Sequence, residues 1–106
     1  MAITNSVLHN SIATSIFTSA GTSGDAVTTM YFCNPDAAQH TVNVFVVPTG
    51  TVANTALNII YSNVAIAAGD TLVIDMEKLV LGVGDSIQAN ASTDNKIAAT
   101  VSSLSI

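Results

Sequence analysis

Turn-forming residues cut this chain into short pieces, and that punctuation limits what it can fold into. Ala20-Gly21-Thr22-Ser23-Gly24-Asp25, Asn34-Pro35-Asp36, Pro48, Ala68-Gly69-Asp70, Gly82-Val83-Gly84-Asp85 and Thr93-Asp94-Asn95 punctuate it, and helical periodicity is nearly absent between them. The intervening segments are rich in Val, Ile and Thr and often alternate with a period of two, the pattern of strands with one buried face. Strands are predicted at residues 7–18, 26–33, 40–47, 56–61, 71–76, 86–91 and 96–104. In the first, Leu8, Ile12 and Ile16 are the apolar points. Residues 40–47 alternate most clearly, with Val42, Val44 and Val46 on one face and Thr41, Asn43, Phe45 and Val47 on the other. Residues 63–67 either continue the fourth strand past a bulge or form their own. Residues 77–81 are a short strand or one helical turn.

Two turns share a device. Gly69 and Gly84 supply backbone angles that other residues resist, and Asp70 and Asp85 are expected to bond the amide two residues on. Each turn feeds a strand, the first with Leu72, Ile74 and Met76 on one face, the second with Ile87, Ala89 and Ala91. The turn at residues 93–95 predicts a hairpin between the last two strands. Seven to eight short strands imply an all-β, two-sheet antiparallel β-sandwich. Jelly-roll and immunoglobulin-like connectivity both fit, although the paired Cys and core Trp of true immunoglobulin domains are missing. A length of 106 residues suits a single domain. Within it, residues 1–24 read as an N-terminal strand or partner-contacting arm and residues 25–106 as the sandwich core.

Charge is scarce. Only 8% of residues are charged, against an average of about 25%. Lys78 and Lys96 are the only cations besides the two His, and the net charge is −5. Nucleic-acid binding relies on Lys and Arg to neutralise phosphates, so no nucleic-acid partner is expected. No polybasic patch and no long apolar stretch points to a membrane. The N-terminal residues lack the basic and apolar regions of a signal peptide, which predicts synthesis and assembly in a cytoplasm. A surface of Ser, Thr, Asn and Ala gives up little hydration when it meets a neighbour, so the composition favours assembly. The lone Cys33 has no disulfide partner in the chain and reads as a small buried hydrophobe.

Catalytic chemistry finds little to work with. His9 and His40 read as polar strand positions, and no G-x-S-x-G turn presents a serine nucleophile. Asp70, Asp75 and Glu77 fall on the solvent side of their strand rather than in a metal or sugar-cleaving pair. The triplet Asn90-Ala91-Ser92 matches a glycosylation acceptor but carries no weight without a secretory signal. No catalytic residue, cofactor-binding residue or metal ligand is therefore assigned, and no enzyme activity is expected. Phe32 and Phe45 read as core. Tyr31 and Tyr61 are candidate interface anchors, since Tyr is favoured at contacts.

The order Thr29-Met30-Tyr31-Phe32-Cys33-Asn34, Thr41-Val42-Asn43-Val44-Phe45-Val46-Val47, Ile66-Ala67-Ala68-Gly69-Asp70-Thr71-Leu72, Leu79-Val80-Leu81 and Gly84-Asp85-Ser86-Ile87-Gln88-Ala89 resembles small virion proteins of tailed phages, especially marine and cyanobacterial ones. The match covers residues 26–106. The resemblance implies a structural protein of the virion. A capsid decoration (cement) protein leads, bound to the major capsid protein or other virion proteins as a homo-oligomer, with a trimer favoured. A tail, neck or baseplate accessory protein or adhesin is the alternative. A carbohydrate-binding module using residues 49–55 and the Asp70 and Asp85 turns is a third reading.

Overall fold

The computed structural model describes residues 2–20 and 22–106, apart from the side chains of residues 76–78. Met76 and Glu77, which the sequence places on the fifth predicted strand and its edge, therefore have side chains outside the described residues. The elements in order are β1 (Ala2–Val7), β2 (Thr14–Thr18), β3 (Asp25–Cys33), β4 (His40–Val47), β5 (Ile59–Ile66), β6 (Thr71–Leu81), β7 (Ser86–Ala91) and β8 (Ala98–Ser105). They form two antiparallel four-stranded sheets, sheet A in the order β1-β8-β3-β6 and sheet B in the order β2-β7-β4-β5. Every link crosses between sheets except that from β4 to β5. This is the eight-stranded jelly roll, and it decides between the two connectivities that the sequence left open.

The wiring corrects the expected hairpin between the last two strands. β7 pairs with β2 and β4 in sheet B, whereas β8 pairs with β1 and β3 in sheet A. The link of residues 92–97 carries Ile97, which is fully buried, so the turn drives the chain across the core instead of back along the same sheet. Residues 7–18 are likewise not one strand. Leu8 and Ile16 are buried but Ile12 is 67% exposed, at a turn between β1 and β2. The two strands flanking that turn lie at the edges of sheets A and B, so the sandwich also takes in residues before 25. The fourth predicted strand starts later than expected because Asn54 and Asn58 close a turn through Asn58 Oδ1, which accepts the Asn54 amide at 2.9 Å. Residues 77–81 belong to β6 as strand.

The core follows period-two alternation. Val27, Met30 and Phe32 of β3 point inward, as do Val42 and Val44 of β4, Ile87, Ala89 and Ala91 of β7, and Ala99 and Val101 of β8. Val46 packs against this cluster, as predicted, while Phe45 and Val47 are buried outside it on the opposite face of β4. Because Phe32 takes the core position, Cys33 turns outward between Thr71 and Ala98, and is half-buried rather than buried. β5 runs through residues 63–66 as one strand, with register shifts on either side of Val44 and Asn63 in a left-handed conformation at φ 52°. The molecule measures 42 × 28 × 20 Å. One end carries the connections at residues 19–20 and 22–24, 48–58 and 82–85, and the other those at residues 8–13, 34–39, 67–70 and 92–97.

Candidate functional site

The two glycine–aspartate turns lie at opposite ends of the sandwich, and each is closed by bonds within the chain. Gly69 takes φ 74° and its amide donates to the Asn34 carbonyl at 2.8 Å, while the Asn34 amide donates to the Asp70 carbonyl at 2.9 Å. Asp70 Oδ1 accepts the amide of Thr71, the next residue and not the one beyond. At the other end Asp85 reaches backwards: Oδ2 accepts the Gly82 amide at 2.9 Å and Oδ1 the Thr49 amide at 2.8 Å. Gly84, at φ 91°, donates to the Ser19 carbonyl, and the Asp85 carbonyl accepts the Ser19 amide. The expected two-residue reach therefore holds for neither aspartate. In each case the turn is pinned to another loop. A sugar site joining residues 49–55 with both turns does not form, since only Asp85 lies beside Thr49.

Other titratable groups are dispersed. His40 opens β4, and its Nε2 lies 2.7 Å from Asp36 Oδ2. The hydrogen bond from His40, and then the Ala37 amide, hold the Asp36 carboxyl below its ordinary value of 3.8. His9 sits in the link from β1 to β2. Asp75 is exposed on sheet A opposite Thr29, away from both histidines. No three His, Cys, Asp or Glu side chains converge among the described residues. A groove of about 460 Å³ opens beside the β4–β5 loop, and its lining of Val46, Pro48, Thr51, Leu57, Asn58, Ile59 and Ile60 contains no titratable group.

The outer face of sheet A is different in kind. Strand parity places Ile3, Asn5 and Val7 of β1 on it, beside Ala98, Thr100 and Ser102 of β8. Thr29, Tyr31 and Cys33 of β3 follow, then Thr71, Val73 and Asp75 of β6. Among the described residues, Ile3, Val7, Tyr31, Val73, Val80 and Leu104 are half of the large apolar side chains that are exposed, and all six lie here. Asp75 is the one charged side chain on this face among the described residues. With strands about 4.8 Å apart and rising about 3.3 Å per residue, the face measures roughly 20 by 25 Å. Tyr31 is exposed (42%) at its centre, between Thr100 and Val73. Tyr61 is not: it faces inward opposite Val44 and packs against the core. Sequence reasoning missed Ile3 and Val7, because the alternation of residues 2–7 is mixed with small polar residues on the inner side. Val73 is legible as an alternate of Leu72 and Ile74, whereas Val80 falls in residues 77–81, which the sequence leaves open between a strand and a helical turn.

Comparison with known protein families, with curated proteins and with solved structures yields no match to this chain.

Proposed function

We propose that the chain is a structural protein of a phage virion, a capsid decoration protein that seats the outer face of sheet A on the outer head shell. The observation that carries this reading is that face: broad, exposed, apolar at six positions and bearing a single carboxylate among its described side chains. Interfaces are depleted of charge at their centres and enriched in Tyr, and this surface has both properties. The resemblance of the ordered strand and turn motifs to small proteins of tailed-phage particles supplies the partner. The chain then carries out no reaction and needs no cofactor. It joins the particle after assembly in the host cytoplasm, and it self-associates into a small cyclic oligomer there.

Two closed turn hubs suit such a part, since they brace both ends of the sandwich and leave a stiff surface to present. The test is reconstitution. Heads lacking the protein are incubated with purified chain and imaged by cryo-EM. Density over the shell with sheet A inward supports the proposal. Density confined to the tail, neck or baseplate moves the chain to an accessory or adhesin role, and absence of density on any particle component refutes the virion reading.

A further inference from the structure

Each sheet of an open sandwich has two edges, and an unguarded edge is a template for another strand. Three of the four edges here are guarded. β2 is five residues long and broken by a bulge at Ile16. β5 is interrupted by two register shifts. β6 carries Asp75, Glu77 and Lys78 in its sequence and shifts register against β3. β1 has none of these protections. Its six residues, Ala-Ile-Thr-Asn-Ser-Val, hold no charge and no proline, and pair with β8 in unbroken register from Ala2 to Val7. No backbone bond from β1 to any strand other than β8 is found among the described residues.

We infer that the free edge of β1 pairs with β1 of a second copy of this chain, antiparallel about a twofold axis at Asn5. Residues directly opposite each other in an antiparallel pair share a face, so allowed registers keep outward residues together. Centring on Asn5 sets Ile3 against Val7 of the other copy, twice by symmetry, and Thr4 against Ser6. Centring on Thr4 would set Ile3 against Asn5 and lose both apolar pairs. Asn5 itself is prepared for the axis: its Oδ1 accepts Thr100 Oγ1 at 3.0 Å, and its Nδ2 has no acceptor among the described residues. Across the axis each Nδ2 finds the facing Asn5 Oδ1. A head-to-tail ring through β1 and β6 would instead bring the charged edge into contact, so self-complementarity favours a pair over the trimer expected from sequence.

The result is one continuous eight-stranded sheet whose outer surface joins two copies of the charge-poor face. Six residues of edge bury less than the roughly 800 Å² per partner of a stable complex, so the pair is weak when free and is reinforced where copies are held side by side. This inference needs only the isolated chain, so it can fail while the capsid reading stands, and the reverse.

The test places Asn5→Cys in a Cys33→Ser background and treats the chain with a short thiol-to-thiol cross-linker. Covalent dimer is expected from Asn5→Cys, with little from Val73→Cys near the opposite edge of the same face, and adding Ile3→Lys to Asn5→Cys should abolish it. Equal cross-linking at residues 5 and 73 would overturn the inference. Sedimentation of the chain with its natural thiol gives a second reading: average mass should rise above 10.8 kDa as concentration approaches about 100 µM, and Asn5→Lys should remove the rise. A constant 10.8 kDa over that range, or a rise unaffected by Asn5→Lys, also overturns it.

Discussion

Asn34→Ala is expected to cost about 3 kcal/mol, an unusual loss for a polar residue next to a turn proline. Asn34 is fully buried. Its Nδ2 donates to the carbonyls of Ala38 at 2.8 Å and Ile66 at 2.9 Å, and its Oδ1 accepts the Asp36 amide at 3.1 Å. The Ile66 bond is buried, so removing its donor leaves a carbonyl with no water to replace it, at about 1–3 kcal/mol. The other two bonds are only partly buried, and their loss adds about 0.5 kcal/mol each. For a domain of this size, about 3 kcal/mol corresponds to a fall in Tm of about 13 °C. Urea unfolding should show the lower midpoint with an unchanged slope, since the surface exposed on unfolding is the same. Asn34→Asp separates donor loss from size: it keeps the acceptor for Asp36 but sets a carboxylate against two carbonyls, and should be at least as damaging at neutral pH. A loss below about 1 kcal/mol in Asn34→Ala would refute the assignment of this side chain as the tie between the β3–β4 and β5–β6 links.

Gly84→Ala should destabilise more than Gly69→Ala. Both glycines have positive φ, at 91° and 74°, but a Cβ on Gly84 meets Thr49 Oγ1 at 2.7 Å while one on Gly69 meets nothing within 4 Å. About 1 kcal/mol of conformational strain is expected at Gly69 and roughly twice that at Gly84, read from thermal melts. Asp36→Asn should affect stability only above acid pH. A carboxyl held below its ordinary value contributes above that value, and the contribution is lost as pH falls through the lowered one. The wild-type and Asp36→Asn melting curves should therefore differ above pH 3.8 and converge as pH falls through the lowered value; a difference that persists in stronger acid would remove the His40–Asp36 contact as its source. Tyr31→Ala and Val73→Lys should each weaken binding to heads about tenfold or more while leaving Tm within about 2 °C, measured by co-sedimentation with particles and by melting.

Strand content was legible from the residues themselves, because alternation at Val42-Asn43-Val44 and the turns before Thr71 and Ser86 are local signals. Topology was not. The link after Ala91 contains the same turn residues that close hairpins, and only the burial of Ile97 in an assembled core tells that the chain crosses to the other sheet. Asn34 shows the same limit: a turn signal in sequence, it becomes a buried staple through partners 4 and 32 residues away. The Cys33-Asn34 strand end and the Ala68-Gly69-Asp70-Thr71 turn, read separately in sequence, prove to be two sides of one contact through Asn34, Gly69 and Asp70. The face of sheet A was half legible. Tyr31 stands out in sequence only as a residue type favoured at contacts, on the same ground as the inward-facing Tyr61, whereas Ile3 and Val7 acquire meaning only once β1 is known to continue the row through Thr100 and Tyr31.

The ends of a jelly roll are where loops usually gather ligands, and here both ends are occupied by the chain's own bonds. Both carboxylate oxygens of Asp85 are taken by amides, Asn58 ties the β4–β5 loop to itself through Val52 and Asn54, and Asn34 fills the opposite end. Substitutions in these loops should therefore register as stability. On the outer face of sheet A the relation reverses: exposed side chains contribute little to folding, so changes there should register as binding. That separation follows from where hydrogen bonds are satisfied and where apolar surface is left over, and it is the separation that the proposed binding by a face, not a pocket, requires. A loop substitution that weakened particle binding without lowering Tm would break the separation.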